Sequence, residues 1–426
     1  MRQTLRLLPA SLLCLVSAAA HAVAVPLPTK DATLNLQVFI QPQMQINENG
    51  SPNGTDASYD LFVRRTRLQV NGDVGSNFSY YFQVDNANFG KFGNYTGRMI
   101  VQDAWIAWGP FGTKGDNVLL FEGGLVFYPN SRFTITSSSN QPTVDSHPDM
   151  LRGFTAAVYP GTRTTGIQFR GWLLDKKLGF RGGVYEGVQP GSTLPNVSTG
   201  LNPRRNPAVA LFANFDIIGS EEGSYLYQSI YFAKNPILSV SLAGTYQSQA
   251  LRVVKGLTDQ RSLTSTVFLD YPLSEQQELV FILGGYLYGN GTGSRDTGKG
   301  FSADLGFRYD FVRPYVSWEY FTSDDCPSPP DATPAQCVAT TGFGQTGVHL
   351  ADTRNFRAGL DFYINKAQNH FMVEFALNRG QSAFGPQSIT AANAGYVPFV
   401  PAGQPALTSL SRSPAKSLTL HWSLYF

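Results

Sequence analysis

The last eleven residues, Lys416 to Phe426, alternate without a break. Leu418, Leu420, Trp422, Leu424 and Phe426 share one parity; Ser417, Thr419, His421, Ser423 and Tyr425 share the other. Successive side chains of a strand point to opposite faces, so this stretch has one apolar face backed by a polar one. The polar parity carries hydroxyls and a histidine rather than Lys and Glu. The same pattern recurs upstream. In 33–41, Leu34, Leu36, Val38 and Ile40 oppose Asn35, Gln37 and Gln41. In 61–72, Arg65, Arg67, Gln69 and Asn71 oppose Thr66, Leu68 and Val70. In 78–87, Phe78, Tyr80, Phe82 and Val84 take the apolar side.

Carried along the chain, alternation predicts sixteen strands. The others are 99–108, 117–127, 164–174, 178–186, 207–217, 236–247, 261–271, 277–288, 300–311, 313–322, 353–364 and 370–379. Short turns such as 73–77 and 175–177 alternate with long connections such as 42–60, 128–163, 187–206, 323–352 and 380–415. Segments 153–159 and 224–233 also alternate, but counting them as strands would move the long 187–206 stretch to the short-turn side, so they are assigned to connections. The expected fold is all-β, a transmembrane antiparallel barrel with long extracellular loops and one loop folded inward. Strands in lipid have no water for unpaired N–H and C=O groups, so the sheet must close. Sixteen strands leave room for an aqueous channel.

The N-terminus places this barrel outside the cytoplasm. Arg2 and Arg6 form a positive start, Leu7 to Val16 an apolar run too short to span a bilayer, and Ala20-His21-Ala22 a small-x-small cleavage site. The expectation is a signal peptide over 1–22, cleaved after Ala22, and a barrel domain over 23–426. Without Arg2 and Arg6 the basic residues equal the 30 acidic ones, so no net charge argues for nucleic acid. Charged residues are only 15% of the chain against 13% aromatic, which favours a lipid-exposed barrel over a multidomain soluble protein. A C-terminal strand ending in Phe426 resembles the closing strand of bacterial outer-membrane barrels.

The stretch Leu61-Phe62-Val63-Arg64-Arg65-Thr66-Arg67-Leu68-Gln69-Val70-Asn71-Gly72, followed by Tyr80-Tyr81-Phe82-Gln83-Val84-Asp85, resembles the early hairpin of the phosphate-selective porin O and P family. Val101 to Ala107, Thr134 to Asn140 and Thr165 to Asp175 fit the same pattern. The resemblance implies a sixteen-stranded, trimeric outer-membrane porin whose third extracellular loop folds inward, passing small hydrophilic solutes and inorganic anions. Its surroundings would be outer-membrane lipid and lipopolysaccharide. The family commonly carries Gly-x-aromatic-Lys-Glu-Pro ahead of that loop, whereas Gly123 to Pro129 here has no lysine, which leaves the phosphate preference open.

Parity places Arg65, Arg67, Arg170, Arg181, Arg308 and Arg357 on the lumen side, with Arg132 and Arg152 in the inward loop. Guanidiniums on a wet wall can guide anions. The same parity gives lumen carboxylates at Asp85, Asp103, Glu122, Asp270, Asp304, Asp310, Glu319, Asp361 and Glu374, so pairing along the wall is the competing reading. Trp105, Trp108, Tyr185, Tyr271, Trp318, Tyr320 and Trp422 read as interfacial or wall aromatics, with no lumen row of rings for stacking sugars. Cys326 and Cys337 share one loop in an oxidising compartment, and a disulfide is expected, metal binding being the alternative. No nucleophile–base constellation, haem-attachment motif or phosphate loop is present, so neither an enzyme nor a cofactor is expected. Two rival functions remain: a barrel sheath for a periplasmic redox or secretion partner, and an exported soluble β-rich binding protein.

Overall fold

The computed structural model describes residues 23–25, 31–48, 56–91, 95, 97, 99–145, 147, 162–188, 202, 204–221, 225–253, 256–291, 297–324, 352–379 and 415–426. A two-residue strand β1 (Val23–Ala24) pairs with the start of β2. The barrel itself is β2 (Asn35–Asn47), β3 (Ser58–Val74), β4 (Phe78–Phe89), β5 (Ile100–Trp108), β6 (Val118–Phe127), β7 (Arg163–Leu173), β8 (Leu178–Tyr185), β9 (Ala208–Ile218), β10 (Ile237–Val253), β11 (Gly256–Pro272), β12 (Gln277–Gly289), β13 (Gly298–Tyr309), β14 (Val312–Ser323), β15 (Thr353–Asn365), β16 (Asn369–Arg379) and β17 (Ala415–Tyr425). Each strand pairs antiparallel with its neighbours in sequence, and β17 pairs with β2. The result is a closed sixteen-stranded antiparallel barrel, as alternation predicted.

Closure runs to the final residue. Phe426 donates its N–H to the Val38 carbonyl at 2.9 Å and accepts the Val38 N–H at 3.1 Å. Tyr425 stacks on Phe39 across the seam, with ring centroids 4.3 Å apart. Along every strand the apolar parity is turned out, where Leu68, Phe82, Ile106, Leu211, Leu287 and Phe375 are exposed to the lipid position. Trp108, Tyr271 and Trp318 face outward as the interfacial reading expects.

Several boundaries differ from expectation. Strand β2 continues through Pro42 to Asn47, because the ladder shifts register between Gln41 and Pro42 and a bulge tolerates a residue without an N–H. Opposite this bulge β3 gains an extra inward residue, so that Arg64 is buried on the lumen side together with Arg65 and Arg67. Strands β10 and β11 extend to Val253 and from Gly256, beyond the expected 236–247 and 261–271. Asp310 sits exposed in the turn before β14 rather than in the lumen. The 225–233 segment forms no barrel strand, in line with its assignment to a connection.

Candidate functional site

The lumen is crossed from both ends. From the extracellular end, in the orientation that puts both termini at the periplasm, the connection after β6 turns inward. Its residues Tyr128 to Asn140 include a short 3-10 turn, Phe133–Ile135, whose side chains are all buried. From the opposite end, the connection between β9 and β10 sends residues 225–233 up into the barrel. The two segments meet backbone to backbone. Tyr227 donates to the Ile135 carbonyl at 3.0 Å, and Ser137 donates to the Tyr227 carbonyl at 3.0 Å. Asn140 Nδ2 donates to Gln228 Oε1 at 2.7 Å and to the Ile230 carbonyl at 2.9 Å.

The inward loop is tied to the wall on almost every side. Ser262 and Thr264 of β11 donate to the Asn130 side chain and carbonyl at 2.5 and 2.6 Å. Arg67 of β3 donates to Ser138 Oγ. Arg357 of β15 donates to Thr143 Oγ1 at 2.9 Å and to the Asp145 carbonyl at 2.7 Å. The Val144 N–H donates to Glu374 Oε2 of β16 at 3.0 Å. Asp145 takes the Arg64 guanidinium at 2.8 Å and lies 3.6 Å from that of Arg65. His147 Nε2 lies 2.9 Å from Asp304 Oδ2 of β13.

Burial raises the cost of charge in these contacts, and their partners oppose it. Burial alone would push the Asp145 carboxyl up, but Arg64 and Arg65 hold it well below the usual carboxylate range. Burial likewise lowers His147, and Asp304, with help from Glu319, more than offsets it, so its pKa rises despite repulsion from Arg357. Arg132 is pressed down by burial and lifted further by Glu221, Tyr231 and Tyr227, ending above the usual arginine value.

The predicted arginines all reach the lumen, in separate groups rather than one ring. Arg65 and Arg67 lie together with Arg64, and Arg67 pairs with Asp85 at 3.0 Å. Arg170 and Arg181 both lie over the Tyr225 ring, at 4.8 and 4.9 Å, and Arg170 pairs with Glu122. Arg308 pairs with Glu278 at 2.7 Å near the periplasmic end. Arg132 stands apart from Arg65 and Arg67, packed over Phe268 at 4.1 Å and Tyr227 at 5.1 Å and paired with Glu221. Arg152, Cys326, Cys337 and the 1–22 leader lie outside the described residues, as does 153–159.

Sequence reading missed Arg64, Arg163, Arg313, Glu221 and Glu278. Arg163 closes two bonds on Asp103, at 3.1 and 3.0 Å, and Arg313 joins Asp361 and His370 in one cluster. Arg313 and Glu278 share the lumen parity of their strands, which could have found them; Arg64 could not be found that way, because the bulge inverts parity. A lumen row of rings also exists, contrary to expectation. Tyr81 stacks on Trp105 at 5.7 Å, and Tyr225 packs on Trp105 at 4.9 Å and on Phe127 at 5.7 Å. Trp105 and Tyr185 are therefore buried lumen residues, not girdle residues. Their polar tips misled the reading, since a ring on the polar parity is as compatible with the lumen as with an interface.

Lumen-facing side chains that keep partial exposure include Asn35, Gln37, Arg65, Asn71, Ser79 and Tyr81. They lie on β2–β4, all but Arg65 toward the periplasmic end, whereas Gln41, Arg67, Gln69 and Asp85 of the same wall are buried where the loop meets it. Among the described residues, no group of His, Cys, Asp and Glu is arranged to hold a metal ion.

Residues 33–203 match the family described as "Phosphate-selective porin O and P". The fold is that of an outer-membrane porin, and the family match covers its first strands. The comparison with curated proteins gives no match. Solved porins share the fold along nearly the whole chain. OmpF of Salmonella typhi aligns with TM-score 0.56 at 11% identity, covering 95% of this chain and 100% of that one. An anion-selective porin from Comamonas acidovorans aligns with TM-score 0.51 at 11% identity, over 93% and 100%. The trimer form of OmpT, an outer membrane protein of Vibrio cholerae, aligns with TM-score 0.50 at 10% identity, again over 93% and 100%. The bacterial outer membrane is the location these findings give, and a diffusion channel is the activity class.

Proposed function

We propose that this porin passes small hydrophilic solutes through its polar lumen, past the inward loop. One observation carries the reading: a polar-walled closed barrel whose own loop is fastened across the lumen, with Arg65 still partly exposed beside it. A solute there exchanges its hydration for Asn, Gln and guanidinium contacts, and the closely spaced opposite charges keep the field nearly balanced. Inorganic anions are the favoured charged solutes, because Arg65 keeps partial exposure on the lumen wall beside Arg67. Asp145 and Asp85 bind those guanidiniums, so the preference is modest and phosphate is one passing anion rather than a tightly held one. The resemblance to an anion-selective porin and the family description support the sign. A homotrimer is proposed by likeness to the trimer form of OmpT.

A lumen filled by the protein's own segments speaks against a sheath for a partner protein. Enzymatic chemistry has no support in the lumen either: His421 lies 3.3 Å from Gln43 Oε1, while Ser423 Oγ accepts from Gln41 Nε2 at 2.8 Å. The test is zero-current potential in a planar bilayer under a KCl gradient, followed by phosphate titration. A modest anion-selective potential with no phosphate block is expected. A cation-selective potential would retire the anion reading, and absence of conductance would retire the diffusion path.

A further inference from the structure

The lipid-facing surface is not uniform. Over β10–β14 it opens into a groove of about 490 Å³, bordered by Leu242, Leu263, Leu287, Phe301 and Tyr320. Small residues make the groove. A Cβ added at Gly285 would meet only Ser265 Oγ, at 3.3 Å, so the position faces open space. Gly300 has the opposite parity, and on the lumen side an added Cβ there would lie 2.3 Å from the buried Tyr286 ring. The groove runs from mid-barrel at Leu242 to the extracellular rim, where Lys299 lines it beside Thr322, its register partner. One strand further on, Arg354 is the register partner of Tyr320 and holds its guanidinium 5.6 Å from that ring. Lys299 and Arg354 are exposed, outward-facing and two strands apart, roughly 10 Å between strand axes. Among the described residues neither has a carboxylate within ion-pair distance. The outward face is otherwise the place for apolar side chains, so two cations above an apolar slot call for an anionic lipid.

We propose that this groove is a binding site for a phosphorylated, acylated lipid of the outer leaflet, the lipid A portion of lipopolysaccharide. Lys299 and Arg354 take its phosphate, and one acyl chain lies in the slot between Leu287, Phe301 and Leu263. The charge complementarity fixes the occupant and the end of the barrel: phosphate at the extracellular rim, chain toward the membrane middle.

The test is native mass spectrometry of the detergent-extracted, refolded protein titrated with diphosphoryl lipid A and with its dephosphorylated counterpart. Wild type should retain the diphosphoryl form preferentially. Lys299→Ala/Arg354→Ala should weaken retention on the order of tenfold or more, from two basic residues at a membrane surface, and should abolish the preference. Gly285→Leu, which leaves both charges in place and fills the slot, should weaken both lipid forms alike. Wild-type retention in both variants would overturn the site. Loss of the oligomer in Gly285→Leu, with lipid retention unchanged per subunit, would overturn it in favour of a subunit contact on this face.

Discussion

The Arg132 guanidinium and the Glu221 carboxylate pair inside the lumen, their side chains 1% and 2% exposed, although one residue arrives from the extracellular end and the other from the periplasmic end. Glu221 is further held by Tyr231 Oη, which donates at 2.8 Å, and Arg132 donates to the Gln228 carbonyl at 2.9 Å. The pair joins the two inserted segments at the centre of the barrel. Removing one partner of a buried pair costs about 3–5 kcal/mol, because the other charge is left without compensation. Arg132→Ala should therefore loosen the contact between the segments while the barrel stays closed. Larger, noisier single-channel currents are expected, and a trace identical to wild type would mean that the junction does not limit flow.

Asp145 should act as the counter-charge that masks the Arg64 and Arg65 guanidiniums. Replacing it, Asp145→Asn, keeps the shape and frees Arg64 and Arg65. The zero-current potential should move toward anion selectivity. An unmoved potential would place the conducting path away from β3.

The His147–Asp304 contact gives the inward loop a pH dependence. The His147 pKa is raised in the folded protein, so its contribution is fully present below the ordinary histidine value of about 6.5 and is lost as pH rises through the higher folded value. Loop fluctuations, read as current noise, should increase as pH rises from below about 6.5 through the raised folded value. His147→Gln should flatten that change. Asp145 has the opposite sign. Its depressed pKa gives a contribution present above about pH 4 and lost only as pH falls through the folded value, so mild acid should not release the loop there.

Tyr225 separates packing from hydrogen bonding. Its ring fills the space among Tyr81, Trp105 and Phe127, while its Oη is buried without a partner among the described residues. Tyr225→Phe should conduct like wild type. Tyr225→Ala removes this half-buried ring and should widen the lumen, seen as faster uptake of a small sugar in a liposome swelling assay. Equal behaviour of the two variants would contradict this division of roles.

The barrel was legible in the sequence because lipid and lumen impose a two-residue period on every strand, and a period needs only local information. Arg65, Arg67, Arg170, Arg181, Arg308 and Arg357 follow from it directly. The period fails where the ladder is irregular: the register shift at Pro42 turns Arg64 inward and no pattern announces it. It is silent, too, about what fills the lumen. Residues 225–233 alternate although they join no barrel strand, and alternation does not say against what they pack. Whether Arg132 would meet Glu221 or join Arg65 depends on two connections, from opposite ends, converging in three dimensions. The sequence by itself determined closure, sidedness of each strand and the supply of charges of both signs. The tertiary structure decided which charges meet, since ion pairing acts over a few ångströms between residues that the chain holds about ninety positions apart.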